Sequence, residues 1–216
     1  PGGDRNVNML PTMTGEACRS LGFAAARVEC ERRVRAHWHW MQSNDDEFKD
    51  YRLKWIAPAL GVRETLHMDC DYNLSVEDVV GGLSHRAHAD TVAIADHALD
   101  RHGPGGGCRE LAEPYGIPLR CLLPRGSGNL MLASMAAGFS PVAATSCRLS
   151  RTIMQLGQAA GTAAALAIRR AVPLRKLDPA ELRDALVRQH VQLDGPLTPE
   201  LAAYLAQEET RPESTV

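Results

Sequence analysis

Closely spaced cysteine pairs are missing from this 216-residue chain. Cys18, Cys30, Cys70, Cys108, Cys121 and Cys147 are scattered and form no Cys-x-x-Cys, so no zinc, iron–sulfur or redox-disulfide spacing is present. They read as reduced thiols of a cytoplasmic protein. Basic excess is missing too: 24 Lys and Arg face 26 Asp and Glu, a net charge of −2, which argues against a dedicated nucleic-acid binder. The uncharged run Thr152 to Ile168 falls short of the roughly 20 apolar residues that cross a bilayer and reads as a core helix. There is no internal repeat. The chain opens on Pro1 rather than Met, which leaves its natural start and any targeting signal open.

A dinucleotide fingerprint is also lacking. The nearest approach, Gly103-x-Gly105-x-x-Cys108, encloses Pro104, follows no hydrophobic strand and precedes no long helix. It reads as a flexible surface or active-site loop, so a cofactor pyrophosphate has no evident seat.

What is present is an α/β pattern. Ala17, Leu21, Ala24 and Val28, continued through Val34, Trp38 and Met41, predict one long amphipathic helix that ends at Ser43-Asn44-Asp45-Asp46. Tyr51 to Ile56 reads as a strand or extended segment. Ser75 with Asp78 three residues on opens a helix that Gly81-Gly82 should stop. Thr91–Ala95, Ile117–Leu123 and Asn129–Ala133 are predicted strands, the second closed by Pro124 and Gly126-Ser127-Gly128. An irregular stretch to Thr145 and a helix from about Ser146 or Cys147 to Arg170 complete a strand, loop and helix order suited to a cofactor site. Asp178-Pro179-Ala180-Glu181 opens a helix to about His190, Thr198-Pro199 opens another, and residues from Glu208 onward are expected to be disordered.

Within the long helix, Gly157-Gln158-Ala159-Ala160-Gly161-Thr162-Ala163-Ala164-Ala165 carries almost no side-chain bulk. Small residues four apart let another backbone approach closely, so an element is expected to pack there. Ser146-Cys147-Arg148, read as the helix start, offers backbone N–H groups and the positive dipole end to an electron-rich ring edge. Arg63 and Glu64 follow Gly61 in apolar surroundings and Arg120 lies in a predicted strand, so each needs either an internal ion-pair partner or a ligand. His85, His88, His97 and His102 near Asp90, Asp96 and Asp100 raise a metal site, and through His85, His88 and His97 a metal hydrolase, but only His85-x-x-His88 has helical spacing and a strand interrupts the cluster. The reading is that no metal is bound. His37 and His39 read as packing or surface residues beside Trp38 and Trp40.

Several motifs, in order, carry a resemblance. Gly61-Val62-Arg63-Glu64-Thr65, Pro114-Tyr115-Gly116-Ile117-Pro118-Leu119-Arg120-Cys121, Asn129-Leu130-Met131-Leu132-Ala133, and Ser146-Cys147-Arg148-Leu149-Ser150-Arg151-Thr152 leading into Leu156-Gly157-Gln158-Ala159-Ala160-Gly161 together resemble the C-terminal half of a bacterial family of FAD-dependent oxidoreductases, related at a distance to the flavin subunit of heterodisulfide reductase. The likeness runs from about Asn8 to Val191. It implies a partial glutathione-reductase-like FAD-binding fold of the α/β (α+β) class, in which residues 1–127 are a substrate-domain portion and residues 128–171 the return strand and helix of the FAD-binding domain. Residues 172–207 would add C-terminal helices and 208–216 a disordered tail.

By that resemblance FAD is the cofactor, and the unit holding its ADP half is the missing N-terminal half or a partner chain. The expected chemistry is hydride transfer with a small organic substrate. Arg63, Glu64, Tyr115 and Arg120 would line the substrate side, with His97 as acid or base. Ala133, Ser134, Met135, Ser146, Cys147 and Arg148 would meet the cofactor, the helix start stabilising negative charge on reduced flavin. No nucleic acid or membrane partner is implied. Ser134-Met135 stand where the family continues with Gly or Cys and then Arg, Pro141 where a histidine is common, and Leu66 where Arg is usual. These departures keep a second reading open, that of a non-catalytic remnant or interaction module binding no flavin.

Overall fold

A computed structural model describes residues 6–7, 12–63, 66–102, 106–195 and 199–209. It divides into two units, residues 1–63 with 102–106, and residues 64–101 with 107–216.

In the first unit the single long helix expected from periodicity is two helices, α1 (Gly15–Leu21) and α2 (Phe23–Asn44). Gly22 sits between them at φ 78°, a backbone that interrupts the helical ladder and that glycine tolerates without a Cβ clash. Thr14 caps α1 by accepting from the Ala17 N–H. Only Ala26 and Cys30 of α2 are buried. Its polar face is laced by Glu29, which takes hydrogen bonds from both Arg32 and Arg33; these hold its carboxyl down at about 2. His37 stacks on Trp40 with ring centroids 5.9 Å apart. Tyr51 to Ile56 forms no strand.

The second unit is built on two small antiparallel ribbons with helices packed on them. Helix α3 (Val76–His85) starts where the sequence places it: Ser75 accepts from the Asp78 N–H and the Asp78 carboxylate accepts from the Ser75 N–H. Gly82 does not end the helix but kinks it, at φ 62°. The strands are β1 (Thr91–Ala95), β2 (Leu99–Arg101), β3 (Gly107–Arg109) and β4 (Tyr115–Pro118), and β1 pairs with β4 while β2 pairs with β3. The expected strand Ile117–Leu123 is thus corrected. Pro118 lacks the N–H that would extend the ladder, and the chain turns into a 3-10 segment, Leu119–Leu122, with the Leu119 N–H on the Asp90 carbonyl at 2.8 Å.

Both faces of the β1–β4 ribbon are buried, which is why β1 reads as continuously apolar. Ala93 and Ala95 join one core with Val79, Tyr115, Phe139 and Leu156. Val92 joins a second with Ala159, Ala163, Leu166, Leu182 and Leu186. Asn129–Ala133 is not a strand: of its backbone groups the Leu132 N–H reaches the Leu122 carbonyl at 2.8 Å, and no described strand runs beside it. Farther on, Gly138 lies so close to Tyr72 that a Cβ there would collide with the Tyr72 carbonyl. Gly138→Ala is therefore expected to cost about 1–3 kcal/mol, read as a lower urea midpoint at unchanged m value.

The helical boundaries after Gly138 differ from expectation. Ser140 caps a short helix, α4 (Pro141–Cys147), with Pro141 at the first helical position. Arg148 and Leu149 break the path before α5 (Ser150–Arg170). Ser146 and Cys147 therefore close α4 instead of opening the long helix. Helix α6 (Pro179–Val187) begins under the Asp178 cap, and α7 (Pro199–Glu209) carries helix into the segment expected to be disordered, residues 210–216 lying outside the described residues. Among the described residues no helix is long and apolar enough to cross a membrane.

Helix α5 buries Leu156, Ala159, Ala163, Leu166 and Ala167 against β1 and α6. Its glycine stripe points the other way. No described atom lies within 4 Å of a Cβ built at Gly157 or Gly161. Met154 and Ile168 at the ends of that stripe are 72% and 80% exposed.

Candidate functional site

The head of α5 is where the chemistry-bearing residues of the second unit gather. Leu149 takes the N-cap position with no side-chain cap, and the first turn holds no acid. The first backbone N–H groups, those of Ser150, Arg151 and Thr152, precede the first intrahelical bond, from Ile153 to the Leu149 carbonyl at 3.0 Å. The segment between β1 and β2 is tied to this end by charge. Arg151 pairs with Asp96 at 2.6 Å, and Arg148 with Asp100 at 3.0 Å. Gln155, one turn in, accepts from the Ile94 N–H at 3.3 Å.

Ser146 and Tyr115 meet beneath that segment. The Tyr115 hydroxyl is 2.7 Å from Ser146 Oγ, which in turn donates to the His97 backbone carbonyl. Both side chains are fully buried. Burial pushes the Tyr115 phenol well above its ordinary range, so it stays protonated. Cys147 beside them donates to the Ala143 carbonyl, and burial drives its thiol up to about 12, which makes it an inert packing group. His97 Nδ1 lies 2.7 Å from the Ala98 carbonyl.

Ala133 packs against the first core. Ser134 Oγ accepts from the Ala136 N–H at 3.2 Å and so shapes its own turn, and Met135 is half-buried.

Arg120 sits apart from the helix head. Its guanidinium pairs with Asp90 at 3.0 and 3.1 Å and lies 4.9 Å over the Tyr72 ring. Of the two alternatives open for this cation, the ion pair is formed. Tyr72 donates to Asp78 at 2.7 Å, and burial followed by that bond pushes its phenol up to about 12. His88 Nε2 is 3.6 Å from the other Asp78 oxygen. Among the described residues no three potential metal ligands converge.

In the first unit, Arg63 lies 2.7 Å from His102 Nε2. Arginine has no acceptor, so that nitrogen accepts. Glu64 lies outside the described residues. The sequence brings Asp96, Asp100 and His102 forward only as candidate metal ligands, not as partners of Arg151, Arg148 and Arg63. They neighbour glycine-rich or strand segments, and their partners are 39–55 positions away, so no local spacing marks them.

The donor set at the α5 head fits the electron-rich pyrimidine edge of a flavin: first-turn N–H groups with no side-chain cap, the positive end of a 21-residue helix and no carboxylate in the first turn. A sequence profile described as FAD dependent oxidoreductase matches residues 3–186. No curated protein and no solved structure shows significant similarity. A match over most of the chain, joined to a helix head of the right chemistry, places this protein in the FAD dependent oxidoreductase family, with FAD as its cofactor.

Proposed function

We propose that the chain is the C-terminal part of an enzyme that transfers a hydride between a small organic substrate and FAD. The observation that carries this reading is the uncapped, acid-free head of α5. Ser150, Arg151 and Thr152 would present their N–H groups to the flavin N1 and C2=O, with Ala133, Ser134, Met135 and Arg148 around them. FAD, when bound, accepts or returns the hydride. The protein's residues do the rest: in the second unit, His97 moves the accompanying proton.

In this proposal the fold is the later part of a glutathione-reductase-like one, with distant kinship to the heterodisulfide reductase flavin subunit. Residues 1–127 serve the substrate domain, and residues 128–171 return to the flavin domain. The ADP half is held by a βαβ unit supplied upstream or by a partner chain, because no strand, Gly-x-Gly-x-x-Gly and helix occurs in these residues. That unit would cover the bare stripe of Gly157 and Gly161. The six free thiols agree with a cytoplasmic setting.

The test is to co-express the chain with its upstream coding region and record the visible spectrum of the purified protein. Bound flavin is the expected result, and a colourless, correctly folded protein would favour the non-catalytic reading. Gly161→Leu should then lower flavin retention roughly tenfold by blocking close approach. It should not lower the melting temperature of the 216-residue chain, since nothing described lies within 4 Å of that position and leucine is the better helix former.

A further inference from the structure

The geometry points to Tyr115 and Ser146 as positioning residues that hold His97 in one tautomer, with Nε2 left as a proton acceptor; the inference rests on the proposed role of His97 in proton transfer. A backbone carbonyl only accepts, so the single Ser146 hydroxyl proton is committed to the His97 carbonyl. The contact between Tyr115 and Ser146 must then run from phenol to serine. The result is a directional chain: Tyr115 O–H to Ser146 Oγ, and Ser146 O–H to the carbonyl of His97. All of it except the last group lies fully inside the core.

The imidazole obeys the same logic. The Ala98 carbonyl can only accept, so His97 Nδ1 donates to it. In the neutral ring this places the proton on Nδ1 and the lone pair on Nε2. Two ion pairs, from Asp96 to Arg151 and from Asp100 to Arg148, pin the flanks of the 96–100 segment. Ser146 is the contact that grips the peptide of His97 itself. When a substrate hydroxyl or amine gives up its proton, the X–H bond breaks, its electron pair stays on X, and an N–H bond forms at Nε2.

Two-bond 1H–15N correlation spectra of the full chain labelled with 15N-histidine report the tautomer directly, with His97 identified as the signal absent from His97→Gln. The expected wild-type pattern is Nδ1–H. Ser146→Ala should move at least about half of the His97 population to the Nε2–H form, because the released ring loses its fixed acceptor. Ser146→Thr, which keeps a hydroxyl, should retain the wild-type pattern. Tyr115→Phe should fall between, and it decides the matter if Ser146→Ala does not fold. An Nε2–H signal in the wild type, or an unchanged Nδ1–H signal in the variants lacking the hydroxyls, overturns the assignment. The proton-transfer role fails separately, if in protein co-expressed with its upstream coding region and loaded with FAD, flavin reduction by primary alcohols and amines shows the same pH profile in His97→Gln as in the wild type.

Discussion

Leu156→Ala is expected to lower the unfolding free energy by about 2–5 kcal/mol, enough to threaten the fold of the second unit. Leu156 is fully buried one and a half turns into α5, in the core that also holds Ala93, Ala95 and Tyr115. Several of its neighbours are alanines, whose side chains cannot swing into the space a lost isobutyl group leaves. The cavity should therefore persist, and the cost should fall in the upper part of the range. Met154, two residues earlier on the same helix, is 72% exposed. Met154→Ala should change stability by no more than about 0.5 kcal/mol. Urea titrations of the two variants side by side check the pair, and equal midpoints would show that α5 is not anchored through Leu156.

Asp78 should dominate the acid limb of the stability curve. Its residue is 2% exposed, and it accepts from the Ser75 N–H at 2.9 Å and the Tyr72 hydroxyl at 2.7 Å. Burial alone would raise its carboxyl. The Ser75 and Tyr72 hydrogen bonds and the nearby His88 outweigh burial and hold the group below its ordinary 3.8. The unfolded chain binds the proton first as pH falls, so the stabilisation is complete above about pH 4 and is lost as pH drops through the folded value. Asp78→Ala removes the reciprocal half of the capping box and strands a half-buried phenol, at an expected cost of about 2–4 kcal/mol at pH 7. The same variant should flatten the dependence of stability on pH below about 4. Thermal melts from pH 3 to pH 7 measure both effects, and an acid limb as steep as the wild type's would move the responsibility to another carboxylate.

Local signals were legible and long-range ones were not. Ser75 with Asp78 and Asp178 with Pro179 mark helix starts by chemistry contained within four residues, and the structure places both there. The strand Thr91–Ala95 is read to the residue. The head of α5 lies three or four positions beyond the Ser146 or Cys147 that the sequence suggests, because its cap, Leu149, has no side-chain oxygen to announce it. The pair Ser140-Pro141, which does announce a helix, lies in a stretch of small residues that looked irregular. Asn129–Ala133 has the composition of a strand, but pairing depends on a neighbour that five residues cannot reveal. The partnerships of Arg120 with Asp90, Arg148 with Asp100 and Arg151 with Asp96 span 30, 48 and 55 positions and emerge only from the fold.

The two bare glycines of α5 have an energetic meaning inside this chain. Each costs a helix interior about 1 kcal/mol relative to alanine, through backbone entropy surrendered on folding. Among the described residues neither Gly157 nor Gly161 recovers that loss by contact. The helix is thus held below the stability its remaining alanines would support, as happens where a surface is kept for recognition at the expense of rigidity.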